Sequence, residues 1–407
     1  MTEYPQSNWE VFRFPDFVRF FGARVTTGLA MQVHNVGVGW LVYDRTGSAL
    51  ALGLVGLAAF LPALLLALVA GVVADRFDRR LVVTVCWAII AVGEIGLLYC
   101  AVNPDIPVWP IYGFTVLVGA CRAFANPATQ ALLPNLVPRS HFAAAVSFNA
   151  SAWQSSSIVG PAVGGFLYAL GPAAVFGVSA GCFALGSLLV SMVSIRGHGG
   201  GTRERPTLAT LFAGVSFIRS RPVVLGAISL DLFAVLLGGA VALLPIYAKD
   251  ILQVGPWGLG LLRSMPATGA ICMTLLMAWF PLRRKAGQRM LMAVAVFGIG
   301  TIVFGLSTNL YLSMAALFTV GAADMISVVV RQTLVQLETP DEMRGRVSAV
   351  NSVFIGASNE LGEFESGLAA AAVGPVAAVV LGGIGTIAVV ALWIRIFPAL
   401  WKRDALM

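Results

Sequence analysis

From Ala49 to Ala74 the chain carries no charged side chain, and the six residues that follow carry five: Asp75, Arg76, Asp78, Arg79 and Arg80. As helix, at about 1.5 Å per residue, that uncharged run is long enough to cross the ~30 Å hydrocarbon core of a bilayer. A cationic turn directly after it belongs among the lipid headgroups, on the cytoplasmic side. Further apolar runs of about 20 residues recur along the chain, whereas the strands of a membrane barrel would alternate over about ten. Backbone polar groups in lipid must be paired internally, so these runs are read as helices. Composition extends the argument to all 407 residues, which are 58% apolar and only 11% charged. The fold class is therefore an all-α membrane protein.

Apolar patterning predicts twelve transmembrane helices, at roughly 16–43, 49–74, 81–101, 108–133, 143–168, 173–195, 223–247, 256–280, 289–306, 310–331, 347–371 and 375–397. The net charge of +7 does not point to nucleic acid. Most of the 26 Lys and Arg fall in segments on one face, and only Arg45 and Lys249 fall on the other. That asymmetry places the basic loops and both termini in the cytoplasm. The one long connection, Arg196 to Pro222, contains a Gly-rich polar stretch and reads as a flexible cytoplasmic linker. Within it, Leu208 to Arg219 has the pattern of an amphipathic surface helix. The expected domains are an N-terminal six-helix bundle (1–195), the linker (196–222), and a C-terminal six-helix bundle with a short cytoplasmic tail (223–407). The five cysteines, at 86, 100, 121, 182 and 272, lack paired spacing and imply neither a disulfide framework nor a metal site. The first ten residues show no basic n-region and no cleavage site, so the first helix is expected to be retained.

The two bundles read as copies. A shift of 202 residues superposes Val118-Gly119-Ala120 on Val320-Gly321-Ala322. The same shift pairs Gln130 with Gln332, Pro138 with Pro340, Asn149 with Asn351, Ser156 with Ser358, Gly160 with Gly362 and Gly165 with Gly367. One constant offset through spans 4–5 and 10–11 is the mark of an internal duplication.

The basic turn carries a resemblance. Gly71, Asp75, Arg76, Arg79 and Arg80 match the Gly-x-x-x-Asp-Arg/Lys-x-Gly-Arg/Lys-Arg/Lys loop between helices 2 and 3 of the major facilitator superfamily, with Asp78 where that family usually has Gly. The chain resembles this superfamily along its whole length. The resemblance implies the six-plus-six major facilitator fold and alternating access. It also implies a gating role for these five residues, with the loop latching against span 11. Physically, Gly71 permits close helix approach, Asp75 suits a helix N-terminus, and the arginines suit Asp75 or anionic lipid. In span 5, Gly160, Pro161, Gly164 and Gly165 are similar to the end of a motif associated with exporters in this superfamily, with Ser147 and Ser156 in place of its earlier glycines. Small residues there allow tight helix contact and Pro161 removes a backbone hydrogen bond, which fits either a hinge or plain close packing. The loop Pro340-Asp341-Glu342-Met343-Arg344-Gly345-Arg346 is similar to one in the branch that includes enterobactin exporters.

Charges inside the membrane cost roughly 2.5–3.5 kcal/mol each on insertion scales, so they mark the chemistry. Arg24, Arg122, Asp231 and Asp324 fall in spans 1, 4, 7 and 10, which line the central cavity in the superfamily fold. With His34 they form the expected substrate cavity, Asp231 and Asp324 balancing Arg24 and Arg122 in the empty protein. Pairing of these groups as gating salt bridges between the halves is the other reading. In span 11, Glu360 and Glu363 lie three apart, on neighbouring turns, with Glu365 close by. Two carboxylates that close resist joint ionisation, so one is expected to hold a proton. Glu360, Glu363, Asp231 and Asp324 are thus the expected proton-coupling residues, unless the glutamates serve only to bond neighbouring spans. Arg331 shares a face with Asp324 and reads as a snorkelling side chain near the cytoplasm. Arg263 and Glu94 suggest ion pairs without identifiable partners, and the tryptophans at 40, 87, 109, 257 and 401 read as interfacial belts.

The expected function is secondary active transport: a proton-coupled exporter, or antiporter, of an anionic or zwitterionic small molecule, siderophore-like or drug-like. It would work as a monomer in the bacterial inner membrane, with protons and membrane lipid as its other partners. Neither P-loop nor metal-helix motif is present, and no cofactor, metal, nucleic acid or enzyme activity is expected. A lysophospholipid flippase and a transport-inactive receptor or scaffold are the competing readings.

Overall fold

The computed structural model describes residues 8–194, 208–280 and 284–404, leaving aside the side chains at 67, 68, 75, 208–212, 341, 349, 352, 353 and 357. After a 3-10 turn (Asn8–Arg13) come α1 (Pro15–Thr46), α2 (Ala49–Arg76), α3 (Arg79–Val102), α4 (Trp109–Leu132), α5 (Phe142–Ala169) and α6 (Pro172–Ser191). Then follow α7 (Leu208–Ser220), α8 (Pro222–Leu237), the short α9 (Leu244–Ile246), α10 (Gly255–Trp279), α11 (Ala286–Leu306), α12 (Leu310–Glu338), α13 (Asp341–Val373), α14 (Pro375–Ile396) and the short α15 (Pro398–Trp401). The described residues contain no strand. Eleven of the expected spans each fall on a single helix, with α12 running seven residues past its expected end and α13 starting six residues before its expected start. Eight of these segments are by themselves long and apolar enough to cross a membrane. The long helices outside that set, α1, α4, α5 and α13, are diluted by the polar residues singled out above.

Local chemistry sets the boundaries. Asp78 caps α3, its carboxylate accepting from the backbone N–H of Arg80 at 2.9 Å and of Leu81 at 3.4 Å. Its φ of −57° needs no glycine, which explains how Asp replaces the usual Gly of the loop. Asn309 caps α12 in the same way. Helices α6 and α14 start at a Gly-Pro step, with Gly171 and Gly374 at φ of 123° and 89° and the proline at the first helical position.

One expected span is not continuous. The stretch 223–247 is helical only to Leu237; Gly238-Gly239 interrupts it, and a 3-10 turn (Ala240–Leu243), α9 and a π turn (Tyr247–Ile251) follow. A Cβ at Gly239 would run into the Gly362 carbonyl and the Ser366 hydroxyl, so the break makes room for α13. Apart from Asp231 the stretch 223–247 is almost wholly apolar, and only the glycine pair and Pro245 hint at the break.

The chain forms two compact units: Met1–Leu41 with Ala58–Glu204, and Val42–Leu57 with Arg205–Met407. The corner between α1 and α2 thus packs with the second unit, an assignment that differs from the expected 1–195 bundle. In the first unit α3 lies against α4 and α6 around buried Phe17, Phe20, Trp87, Ile90, Leu132 and Phe183. In the second, α11 lies against α12 and α14 around Leu230, Met290, Leu291, Leu334 and Trp393. Trp40 and Trp87 are core residues, 7% and 5% exposed, rather than belt residues, because each sits against a neighbouring helix; Trp109 (71%) and Trp257 (48%) are exposed as a belt requires. Part of the expected flexible linker is built: α7 packs on α13, with Ile218 in a cluster with Val335, Val347 and Val350. Residues 195–207 of that linker lie outside the described residues.

Candidate functional site

In the first unit, Arg24 on α1 donates from Nε to Asn149 Oδ1 on α5 at 3.1 Å, and its guanidinium carbon stands 5.9 Å from the centre of the Trp153 ring. Asn149 and Trp153 are four apart and share a face of α5, so one helix holds both the anchor and the aromatic plate. Arg122 on α4 is partly buried. Neither arginine has a carboxylate within ion-pair distance among the described residues. His34 does not lie open to a cavity: it is 3% exposed, and its Nδ1 is 2.6 Å from Oε1 of Glu94 on α3, itself 0% exposed. That pair supplies the partner that the sequence left unnamed for Glu94. The second oxygen, Oε2, is buried without a hydrogen bond.

In the second unit, Asp231 on α8 is 5% exposed and meets Arg331 on α12, Oδ2 to Nη2 at 3.2 Å. Arg331 also donates from Nη1 to Asn351 Oδ1 on α13 at 3.0 Å. At 2% exposure Arg331 is interior, and the expectation that it snorkels is corrected. Its partners lie on α8 and α13, which no reading of α12 alone reveals. Asp231 is therefore balanced locally rather than by Arg24 or Arg122. Asp324, partly buried on α12, lies within electrostatic range of both Asp231 and Arg331. The Arg331 Nε is buried without a hydrogen-bond partner. Arg263 on α10 lies within electrostatic range of Glu363 and Glu360 on α13, which gives Arg263 its counter-charges. Glu363 rests against Gly56 of α2, where a Cβ would stand 3.0 Å from its own Cβ and 3.1 Å from its Oε2. Glu365 is partly buried on the same helix.

The internal repeat is visible in these contacts. Asn149 and Asn351, equivalent at the 202-residue shift, each accept a hydrogen bond from an arginine. The donors come from different helices, α1 in one unit and α12 in the other.

Small residues form a seam in each unit. In the first, Ser156, Gly160 and Gly164 of α5 abut Gly28, Gln32 and Val33–Val36 of α1; a Cβ at Gly160 would stand 2.5 Å from the Gln32 Cβ, and one at Gly164 would be a tight 3.1 Å from Val33 and Val36. Pro161 and Gly165 are buried beside them. In the second, Gly362 and Gly367 of α13 meet the end of α8 and Gly53 of α2. The basic turn is tied to its own unit. Arg79 donates to the carbonyls of Ala74 at 3.4 Å and Ala131 at 3.3 Å, and Arg80 to those of Ser191 at 3.4 Å and Val193 at 2.9 Å. These cations meet C-terminal carbonyls of α2, α4 and α6, a favourable pairing with the helix dipole. Arg76 is exposed, Gly71 is helical, and the Asp75 side chain lies outside the described residues.

Residues 6–406 match the family described as transmembrane secretion effector. The enterobactin exporter EntS of Shigella boydii serotype 4 is 26% identical over 366 residues, covering 89% of this chain and 84% of that protein. The enterobactin exporter EntS of Escherichia coli O157:H7 is similar to the same degree, 26% over 366 residues, with 89% and 84% covered. Among solved structures, a bacterial homolog of the human lysosomal transporter Spinster, inward-facing and unoccupied, matches with a TM-score of 0.71 at 14% identity, covering 98% of this chain and 97% of that one. A D-xylose-proton symporter matches with a TM-score of 0.70 at 15% identity, with 96% and 99% covered. At such identities the structures speak for the fold alone, and that fold is the one expected from the duplicated six-helix pattern.

Proposed function

Because this chain belongs to the transmembrane secretion effector family of the major facilitator superfamily, we propose that it is a proton-coupled exporter of an anionic or zwitterionic small molecule. Its relatives and structural neighbours are transporters, and it is a multi-pass secondary transporter of the bacterial inner membrane rather than an enzyme. The finer reading rests on how charge is distributed. A guanidinium stays cationic at any relevant pH, and an uncompensated charge away from water is costly. In the second unit two membrane-depth arginines are each grouped with two carboxylates: Arg331 with Asp231 and Asp324, Arg263 with Glu360 and Glu363. The first unit holds Arg24 and Arg122 with no carboxylate at ion-pair distance among the described residues. This last observation carries the proposal, since an anionic ligand supplies what those two groups lack.

Each carboxylate cluster of the second unit is short of one positive charge, which a single proton provides. Proton uptake therefore neutralises the second unit, and anion uptake neutralises the first. A membrane potential negative inside drives a bound anion outward and a proton inward, about 2.3 kcal/mol per charge per 100 mV. Both steps favour export. Trp153 beside Arg24 offers a flat face for an aromatic or otherwise planar acid. The test is efflux from proteoliposomes under an imposed pH gradient and potential, using a fluorescent carboxylic acid panel and the matching methyl esters. Export of acids in preference to esters, lost on collapsing the proton gradient, is expected. Equal handling of acid and ester, or indifference to the gradient, rejects the reading.

A further inference from the structure

A cavity of about 300 Å³ lies on the second unit, between α10, α11 and α12, away from the charged clusters. On α11 its wall is Arg289, Met292, Ala293 and Val296, spaced i, i+3, i+4 and i+7, which is one face of a helix. On α12 it runs from Thr319 to Ile326 through Ala322 and Ala323, the same spacing on a helix of opposite direction. The alanines form a recessed floor: Ala293, Ala322 and Ala323 are 5%, 8% and 4% exposed, while Met292 beside them is 63% exposed. In a chain that spans a bilayer, exposed apolar surface on such helices faces lipid. A groove one side chain deep, walled by flexible methionine, accepts a narrow flexible hydrocarbon chain.

The two ends of the groove differ. Arg289 stands in the first turn of α11, directly after the basic segment containing Arg284 and Lys285, so it sits at cytoplasmic headgroup depth. It is exposed and has no carboxylate at ion-pair distance among the described residues. From Arg289 the groove descends about two helical turns, roughly 10 Å, into the hydrocarbon layer. We propose that this groove is a binding site for an anionic phospholipid of the cytoplasmic leaflet, its acyl chain along the alanine floor and its phosphate on Arg289. Helical geometry puts Asp324 about 150° and Arg331 about 130° around α12 from the groove, so the lipid supports α12 from the side away from its charged face.

The experiment is native mass spectrometry of the purified full chain, with phosphatidylglycerol or phosphatidylcholine of identical acyl chains added and detergent washing increased stepwise. Phosphatidylglycerol is expected to be retained about fivefold better, the factor equivalent to the ~1 kcal/mol that one basic residue contributes at an anionic surface. Arg289→Gln should bring the two lipids level. Thr319→Phe, a change at an exposed position that fills the deep end of the groove, should lower retention of both while leaving the melting temperature in place. Equal retention by the unaltered protein, or a preference that survives Arg289→Gln, overturns the proposal. So does a dimer mass lost in Thr319→Phe, which would mean that a second copy of the chain fills the groove.

Discussion

Arg122 is the simplest place to test the charge argument, because nothing among the described residues holds it within ion-pair distance. Arg122→Ala should raise the dissociation constant for a carboxylic acid by about 10- to 100-fold, the equivalent of the ~1.5–3 kcal/mol of a hydrogen bond to a charged group. The methyl ester should change little, and Arg122→Lys should restore only part of the acid's affinity because it lacks the bidentate fork. Equal losses for acid and ester in a fluorescence titration would leave Arg122 a packing residue. The His34–Glu94 pair makes a different expectation. Removing one partner of a buried pair strands the other, at a cost of about 3–5 kcal/mol. Glu94→Leu should therefore lower the melting temperature markedly, and adding His34→Leu should recover most of the loss; an additive double variant would show that the two do not interact. The sequence revealed these sites unevenly, for physical reasons. The constant 202-residue offset matched Asn149 with Asn351 as one of several pairs without giving them a role, and both hold an arginine. His34 and Glu94 sit on separate helices with no shared spacing, so only the packing of α1 on α3 brings them together. Arg331 was misplaced for a related reason: its depth is set by partners on α8 and α13.

Helix α13 joins the small-residue seam to the carboxylates. Glu363 takes the repeat position of Pro161, rests against Gly56, and shares Arg263 with Glu360. If this cluster carries the proton, Glu363→Gln should abolish uptake or efflux driven by a pH gradient while sparing exchange of substrate for substrate. Full gradient-driven transport in Glu360→Gln, Glu363→Gln and the double variant would assign the proton to Asp231 and Asp324 instead. On α5, Gly160→Val must push Gln32 aside, since a Cβ there already overlaps the Gln32 Cβ. Overpacking of that kind costs about 1–3 kcal/mol, and a melting temperature unchanged by the substitution would mean that α1 and α5 part readily. At this scale the helices were legible almost throughout, because an uncharged run of membrane length has few other solutions. The break at Gly238-Gly239 was not, since its cause is the approach of α13 through Gly362 and Ser366. Likewise α7 was legible as amphipathic, but its docking depends on Gly214 meeting the Arg346 carbonyl of α13.

Under the proposed transport by alternating access some contact is released and remade on each face of the membrane, and the corner between α1 and α2 can be tested for that role. The corner Val42–Leu57 follows directly from the first unit yet packs as part of the second. It is held there by Lys249 Nζ on Asp44 Oδ1 at 2.6 Å, by the Tyr43 hydroxyl donating to Asp250, and by Gly53 pressed against Gly367. On the expected topology, which puts Arg45 and Lys249 on the extracytoplasmic face, this corner lies at that end of the helices. Family resemblance assigns the corresponding role on the cytoplasmic face to Asp75, and Asp75→Asn should raise labelling of cytoplasmic cysteines. The extracytoplasmic contact permits the sharper expectation, because its parts are visible. The Lys249–Asp44 pair is 35% and 50% exposed at its two side chains, so it contributes no more than about 1 kcal/mol. Removing it should shift the population with the corner released by about fivefold, not abolish transport. Ala51 is 8% exposed while the corner is seated. In a cysteine-free background carrying Ala51→Cys, Lys249→Ala should speed labelling by a membrane-impermeant maleimide from outside by up to about fivefold. The charge exchange Asp44→Lys with Lys249→Asp should return the rate toward its starting value. A rate indifferent to both changes would show that the glycine contact alone seats the corner, and that opening on this face is governed by packing rather than by charge.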